Sequence, residues 1–207
     1  KFIDLHKYMR SVVNDIFNES SRFLKSVSEA FSNLSENKLN NSEELRLTYF
    51  LPTYIDKMLR RNSHKLSEEE VENNVNEAFE LFCFVVDKDT FIEVYRDFLA
   101  LRLLNNKSIS NDLEQTFITK MKAQCGGSFT IKLEGMLTDF MLHSDNNVVY
   151  SEIYSNWSQE ELQIENGINS IEFEPRLLTL CNWPGQKNRM INLPIVLSSI
   201  QKHYTDW

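Results

Sequence analysis

The sequence predicts a mainly α-helical protein: an antiparallel helical bundle running into a helix-turn-helix, then one strand-like segment and a last helix. Three observations support this. Apolar residues recur at i, i+3, i+4 and i+7 through most of the chain, the period of one helix face. Gly and Pro are scarce, 5 and 4 residues in 207, which leaves few tight turns. Capping-box spacings, a small polar residue followed three positions later by Glu, stand in front of apolar runs.

Residues 2 to 17 place Leu5, Met9, Val12, Val13 and Ile16 on one stripe. Ser20 or Ser21 breaks and recaps the chain, and Phe23, Val27, Ala30, Phe31 and Leu34 repeat the spacing. The polar stretch 35–44 reads as a loop. A helix starting near Phe50 carries Leu51, Ile55, Met58 and Leu59 inward. Pro52, which has no amide hydrogen, belongs in its first turn or marks a kink. Ser67 and Glu70 form a capping box ahead of Val71, Val75, Ala78, Phe79 and Phe82. Short connections between such helices favour antiparallel packing.

The stretch 87–140 has the strongest punctuation. Asp87 and Asp89 cap a helix whose Phe91, Val94, Tyr95, Phe98 and Leu99 keep the helical period, and Ile92, Leu101, Leu103 and Leu104 widen the stripe. A helix apolar nearly all round is a central one, so Phe91, Tyr95, Phe98, Leu99 and Leu103 are expected in the core. Phe98, at mid-helix, is expected to be among the most costly side chains to truncate. Arg102 points away from the polar stripe of Glu93, Arg96 and Asp97, and two readings stand. It is buried on a carboxylate or carbonyl partner, or it sits in the last turn on the helix's own terminal carbonyls.

The next helix opens at Asn111 with Glu114 at capping-box spacing. It turns Leu113, Phe117, Ile118 and Met121 inward and stops at Gly126-Gly127. Thr130 starts a third helix with Leu133, Met136, Leu137, Phe140 and Met141 on one face, Met136 in the core. After Ser144, Val148, Val149, Ile153, Tyr154 and Trp157 predict one more short helix, and 159–169 reads as a linker. Ile171 to Asn182 is strand-like, and Pro175 within it implies an edge, a bulge or a break. Leu193 to Tyr204 closes the chain as a helix with Pro194 in its first turn.

Composition narrows the function. A net charge of −8 disfavours nucleic acid, which is bound by clustered Lys and Arg. The helices joined at Gly126-Gly127 have the spacing of a DNA-reading pair, but Lys132 is accompanied by Glu134 and Asp139. No apolar run approaches a membrane span and no secretory leader is visible. Cys83, Cys125 and Cys181, odd in number and widely spaced, suit reduced thiols of the cytosol or nucleus. Cys125 ends a helix, where the dipole raises a thiol pKa, and Cys83 lies between Phe82 and Phe84, so neither is an activated nucleophile.

His6, His64, His143 and His203 stand far apart with no ligand spacing, and no CxxC, phosphate loop or GxSxG occurs. Glu68, Glu69 and Glu70 answer the helix dipole in a first turn. The residues therefore indicate no catalytic site, no metal site and no cofactor, and point to a structural or interaction protein. Helical pattern already present at Phe2 and Ile3 gives the expectation that the sequence starts partway through a longer protein.

The run YRDFLALRLLNNKSISNDLEQTFITKMKAQCGGSFTIKLEGMLTDF, from Tyr95 to Phe140, resembles the signature region of the cullins, scaffold subunits of multisubunit ubiquitin ligases. The family pattern FYxxxLAxRLLxxxSxSxDxExxMIxKLKxxCGxxFTxKLEGMxxD is met without gaps, among other positions, at Tyr95, Arg102, Ser108, Glu114, Cys125, Gly126, Met136 and Asp139. Leu101 departs from it, where the family often has Lys. YIDKMLRR at 54–61, LSEEEVE at 66–72 and the Trp183-Pro184 pair also resemble cullin text.

The resemblance implies the C-terminal half of a cullin: a helical bundle over 1–105, a helix-turn-helix extension over 106–157, and over 158–207 the first strand and helix of the α/β domain. It implies a scaffold that performs no chemistry and sets the distance between a substrate receptor and the RING-box subunit. That subunit recruits ubiquitin-charged conjugating enzyme, so the enzyme is an indirect partner and cullin-associated regulators are further ones. A RING-box protein would dock, weakly in this span, as an added strand on 171–182, contacting Ile171, Phe173, Leu177, Leu178 and Leu180. The alternative is that these side chains pack on the final helix through Leu193, Val196, Leu197 and Ile200. The competing reading is a helical nucleic-acid-binding or regulatory module.

Overall fold

The computed structural model describes residues 2–36, 47–61, 66–161, 173–185 and 191–207. These form eight helices: α1 (Phe2–Phe17), α2 (Ser21–Glu36), α3 (Leu47–Leu59), α4 (Glu68–Phe82), α5 (Lys88–Leu104), α6 (Asn111–Cys125), α7 (Gly127–Glu161) and α8 (Ile195–Asp206). The chain divides into two compact units, residues 1–137 and 138–207, with the boundary inside α7. His64, Ile171 and most of the stretches expected as loops at 35–44 and 159–169 lie outside the described residues.

In the first unit α1 packs on α2 and α4, α3 on α4 and α5, and α4 on α6. Asn18 and Glu19, at φ 47° and 56°, turn the chain between α1 and α2 through the left-handed region. The core is drawn from every following element. Ile55 and Leu59 of α3, Ala78 and Phe82 of α4, Phe91, Tyr95, Leu99 and Leu103 of α5, Phe117 and Met121 of α6, and Leu133 and Met136 of α7 are all fully buried. Ring contacts tie the layers together: Phe82 to Phe91 at 4.7 Å and Tyr95 to Phe117 at 5.3 Å between centroids. Phe98 is only half-buried. The enclosed face of α5 runs through 91, 95, 99, 102 and 103, and Phe98 lies at its rim beside the half-buried Val94.

Helix ends follow local chemistry. Ser67 and Glu70 form the capping box, with Ser67 N–H donating to Glu70 Oε2 at 2.8 Å and Glu70 N–H to Ser67 Oγ at 3.3 Å. Those bonds hold the Glu70 carboxyl below its usual range. Asp87 caps α5 by accepting from Thr90 N at 3.0 Å. α3 starts three residues before Phe50, so Pro52 falls in its second turn.

The capping box expected at Asn111–Glu114 does not form. Ser110 is the N-cap and makes no side-chain cap bond, and Glu114 is fully buried instead. α6 stops at Gly126, whose φ of 94° is free of cost only without a Cβ. α7 then runs 35 residues without a break, so the helix expected from Thr130 and the short one expected around 148–157 are one element. No proline occurs in it, and its single interior glycine, Gly135, leaves the hydrogen-bond ladder intact.

The second unit consists of the later part of α7, the segment 173–185 and α8. No strand occurs among the described residues. The part of the expected strand that is described, 173–179, has no regular structure and passes into a turn at 180–182. Side chains of α7, rather than a neighbouring strand, hold it in place.

His6 shows how α1 docks. It is buried at 7% exposure, edge-on to Phe31 at 4.8 Å and Phe84 at 5.6 Å, with Nδ1 3.9 Å from Glu80 Oε2. Arg10 pairs with the same Glu80, and Lys7 with Glu77 at 2.5 Å. Burial pushes the His6 pKa down, Arg10 adds to that, and Glu77 opposes it. The neutral ring is the form that packs. Docking stability is therefore intact above about pH 6.5, the unfolded value, and falls as pH drops through it towards the lower folded value. Thermal unfolding should lose midpoint between about pH 7.5 and about pH 5, and lose less in His6→Phe. Equal losses in the two proteins would contradict this role for His6.

Candidate functional site

The first unit encloses a charge network where α3, α5 and α6 meet. Arg102, with no exposure, donates from Nε to Glu114 Oε1 at 2.8 Å and from Nη2 to Glu114 Oε2 at 2.9 Å, a two-pronged pairing. Its Nη1 reaches Asp56 Oδ1 at 2.8 Å, and Nη2 also approaches the Tyr95 hydroxyl at 3.3 Å. Tyr95 donates to Glu114 Oε2 at 3.0 Å, Ser108 to Glu114 Oε1 at 2.8 Å, and Arg60 Nη2 to Asp56 Oδ2 at 2.7 Å.

Two arginines thus face two carboxylates, and the cluster carries no net charge. Burial works against the charge on Arg102, but Glu114, Tyr95 and Asp56 outweigh it and hold the guanidinium more firmly protonated than usual. Burial first, and then the Glu114 charge, push the Tyr95 phenol well above its ordinary range, so it serves as a neutral donor. The backbone continues the junction: Ile109 N–H donates to Leu59 O at 2.9 Å and Arg61 N–H to Lys107 O at 2.6 Å. Of the two sequence readings of Arg102, the buried carboxylate partner is the one realised. Ser108 stands in the family pattern and Asp56 within YIDKMLRR, but the sequence reading gives neither a part in pairing Arg102. The signal for Asp56 was an acid on the apolar face that carries Ile55 and Leu59.

Glu114 accepts four hydrogen bonds and Asp56 one on each oxygen, and both carboxylates are buried. Burial raises the thiol pKa of Cys83 and Cys125, which makes either a poorer nucleophile. Among the described residues no group of His, Cys, Asp and Glu could hold a metal ion, and no helix is long and apolar enough to cross a membrane.

In the second unit the segment 173–183 is strapped to α7. Asp139 accepts from Thr179 N at 2.9 Å, Thr179 Oγ1 at 2.9 Å and Trp183 Nε1 at 2.7 Å. His143 Nε2 lies 3.1 Å from Glu174 Oε1, and the Phe173 ring meets Tyr154 and Tyr204, both at 5.9 Å. Of the residues expected to meet a partner, Phe173 and Leu178 are half-buried, Leu177 is 61% exposed and Leu180 is 89% exposed. Leu178 borders a small cavity with Asp139, Leu142 and His143 of α7. Phe173, Pro175, Leu177, Leu193, Leu197, Tyr204 and Trp207, together with Arg176, Gln201 and Thr205, line an open groove of about 710 Å³, and Leu177 and Tyr204 border both spaces. The segment is therefore anchored to α7 through Asp139 and His143 and leaves Leu177 and Leu180 exposed.

The sequence matches the family model described as the cullin alpha solenoid domain over residues 1–147. The chain belongs to the cullin family. It is 35% identical to the cullin-1 of Oryza sativa subsp. japonica over 195 residues, covering 94% of this chain and 25% of that protein. It is 29% identical to the cullin-4A of Mus musculus over 200 residues, 97% of this chain and 25% of the relative. To the cullin-3B of Arabidopsis thaliana it is 29% identical over 203 residues, 94% of this chain and 26% of the relative. The chain spans about a quarter of the length of these cullins.

The network makes a sharp energetic prediction. Glu114→Ala strands a buried guanidinium and should cost about 3–5 kcal/mol in denaturant unfolding. Arg102→Met with Glu114→Leu, which removes both charges, should cost less than that single change. A single-change loss under about 1 kcal/mol would mean that the network does not hold the three helices.

Proposed function

We propose that this chain is part of the scaffold of a cullin-RING ubiquitin ligase, a subunit that positions a RING-box protein relative to a substrate receptor and performs no chemistry itself. The observation that carries this is the cullin family match over most of the chain. A scaffold works by positioning, which makes the meeting of bound reactants effectively unimolecular. It needs a framework that does not give, and a core locked by a buried charge network supplies one. The RING-box subunit is the direct partner here, bound weakly by this span. The ubiquitin-conjugating enzyme is brought indirectly, cullin-associated regulators are further partners, and the cytoplasm or nucleus is the setting. Residues 158–207 are read as the start of the α/β domain that receives the RING-box strand.

The exposed Leu177 and Leu180, next to backbone at 177 and 178 that makes no hydrogen bond among the described residues, support that contact by β-augmentation. Titrated with a RING-box protein, the chain should show weak binding. Leu180→Asp should reduce it at least about tenfold, the effect of a lost anchor. Undiminished binding by the variant would place the partner elsewhere. A mobility shift with duplex DNA should be blank, and a salt-sensitive complex would favour the nucleic-acid reading instead.

A further inference from the structure

We propose that Asp139 is a positioning residue for the docking segment, its carboxylate fixing the register in which residues 173–180 are offered to an added strand. The proposal rests on the reading of that segment as the RING-box contact. A carboxylate has about four lone-pair positions, and three are filled here. Oδ1 takes the Thr179 hydroxyl, and Oδ2 takes the Thr179 amide and the Trp183 indole.

Thr179 is also where the irregular run 173–179 meets the turn at 180–182: its carbonyl accepts from the amides of Asn182, at 2.9 Å, and Trp183, at 3.5 Å. Both backbone polar groups of this one residue are therefore committed, whereas Leu177 and Leu178 make no backbone hydrogen bond among the described residues. Half-buried Leu178 borders the cavity against α7, Leu177 borders both that cavity and the groove while staying mostly exposed, and Leu180 is almost fully exposed. A slip of the segment along α7 would offer a partner a different set of side chains, so one residue pinned by Asp139 decides which ones it meets. Without the pin, the partner would have to order the segment as it binds, and affinity would fall by the fraction of chains in the competent form.

Asp139→Asn changes little in volume but leaves one acceptor oxygen for three donors and adds an amide that opposes them. In 15N NMR, three tryptophans give three indole signals. Asp139→Asn should shift the Trp183 indole and expose the Thr179 amide to exchange, and should weaken RING-box binding about tenfold or more. Thr179→Val, losing only the hydroxyl bond, should do the same in smaller measure. Leu180→Asp should lose the partner with the Trp183 signal unmoved.

An unchanged Trp183 signal and Thr179 protection in Asp139→Asn would overturn the pin. Changed signals with full RING-box affinity would reduce Asp139 to a structural anchor and overturn the positioning role. Absence of binding by the unsubstituted chain, with the Trp183 signal still moved by Asp139→Asn, would overturn the partner reading and the positioning role with it.

Discussion

A guanidinium with no solvent contact must be fully paired or the fold pays the desolvation of a bare charge, and this constraint on Arg102 organises the first unit. Its partners come from different elements: Asp56 from α3, Glu114 from α6 and Tyr95 from its own helix. None can move away without leaving a charge or a donor unmatched in a low-dielectric interior, where such a loss is most costly. Hydrophobic packing alone would tolerate small slips of α3 or α6 along α5. Directional bonds to both edges of one planar group do not, which makes the network a device for a single arrangement rather than for raw stability. The same residues explain part of the family signature in physical terms, since Tyr95, Arg102, Ser108 and Glu114 are all signature positions and all join the network.

Much of the helical order was visible in the sequence because it depends on local pattern. The capping box of α4, the aspartate cap of α5 and the glycine stop of α6 need only neighbours a few positions away, and each formed where its residues indicated. The departures have tertiary causes. Glu114 stood at capping-box spacing from Asn111, but Arg102 offered it a charged fork in the core, which outweighs one amide at a helix end. Phe98 had the right period for the centre of α5, yet only the helices packed against it decide where the enclosed face ends. Polar residues after Ser144 looked like a break, but a continuous backbone ladder with no proline carries α7 through them.

The second unit was the least legible for the same reason. A strand is defined by its neighbour, and in residues 173–179 the described contacts run to α7 side chains instead. Nothing in the local text of Thr179 or Trp183 announced Asp139, which lies 40 and 44 positions earlier. Only the family pattern, which ends on that aspartate and resumes with Trp183-Pro184, marked both ends of the contact. The two units share a logic. In each, a carboxylate contributed by one helix gathers several donors from elsewhere in the chain, four on Glu114 and three on Asp139, and the result is a fixed arrangement. A fixed arrangement of this kind is compatible with the scaffold role proposed from the family match.

The most direct test of the central claim is amide hydrogen exchange at Ile109 and Arg61, whose N–H groups close the junction of α3 with the α5–α6 connection. Compared with the unsubstituted chain, Arg102→Met should lose protection at these two amides well beyond the loss in the middle of α4. That would show that the guanidinium holds the junction locally. Protection at Ile109 and Arg61 that falls only in step with α4 would contradict the account and leave Arg102 as one contributor among many to a general core.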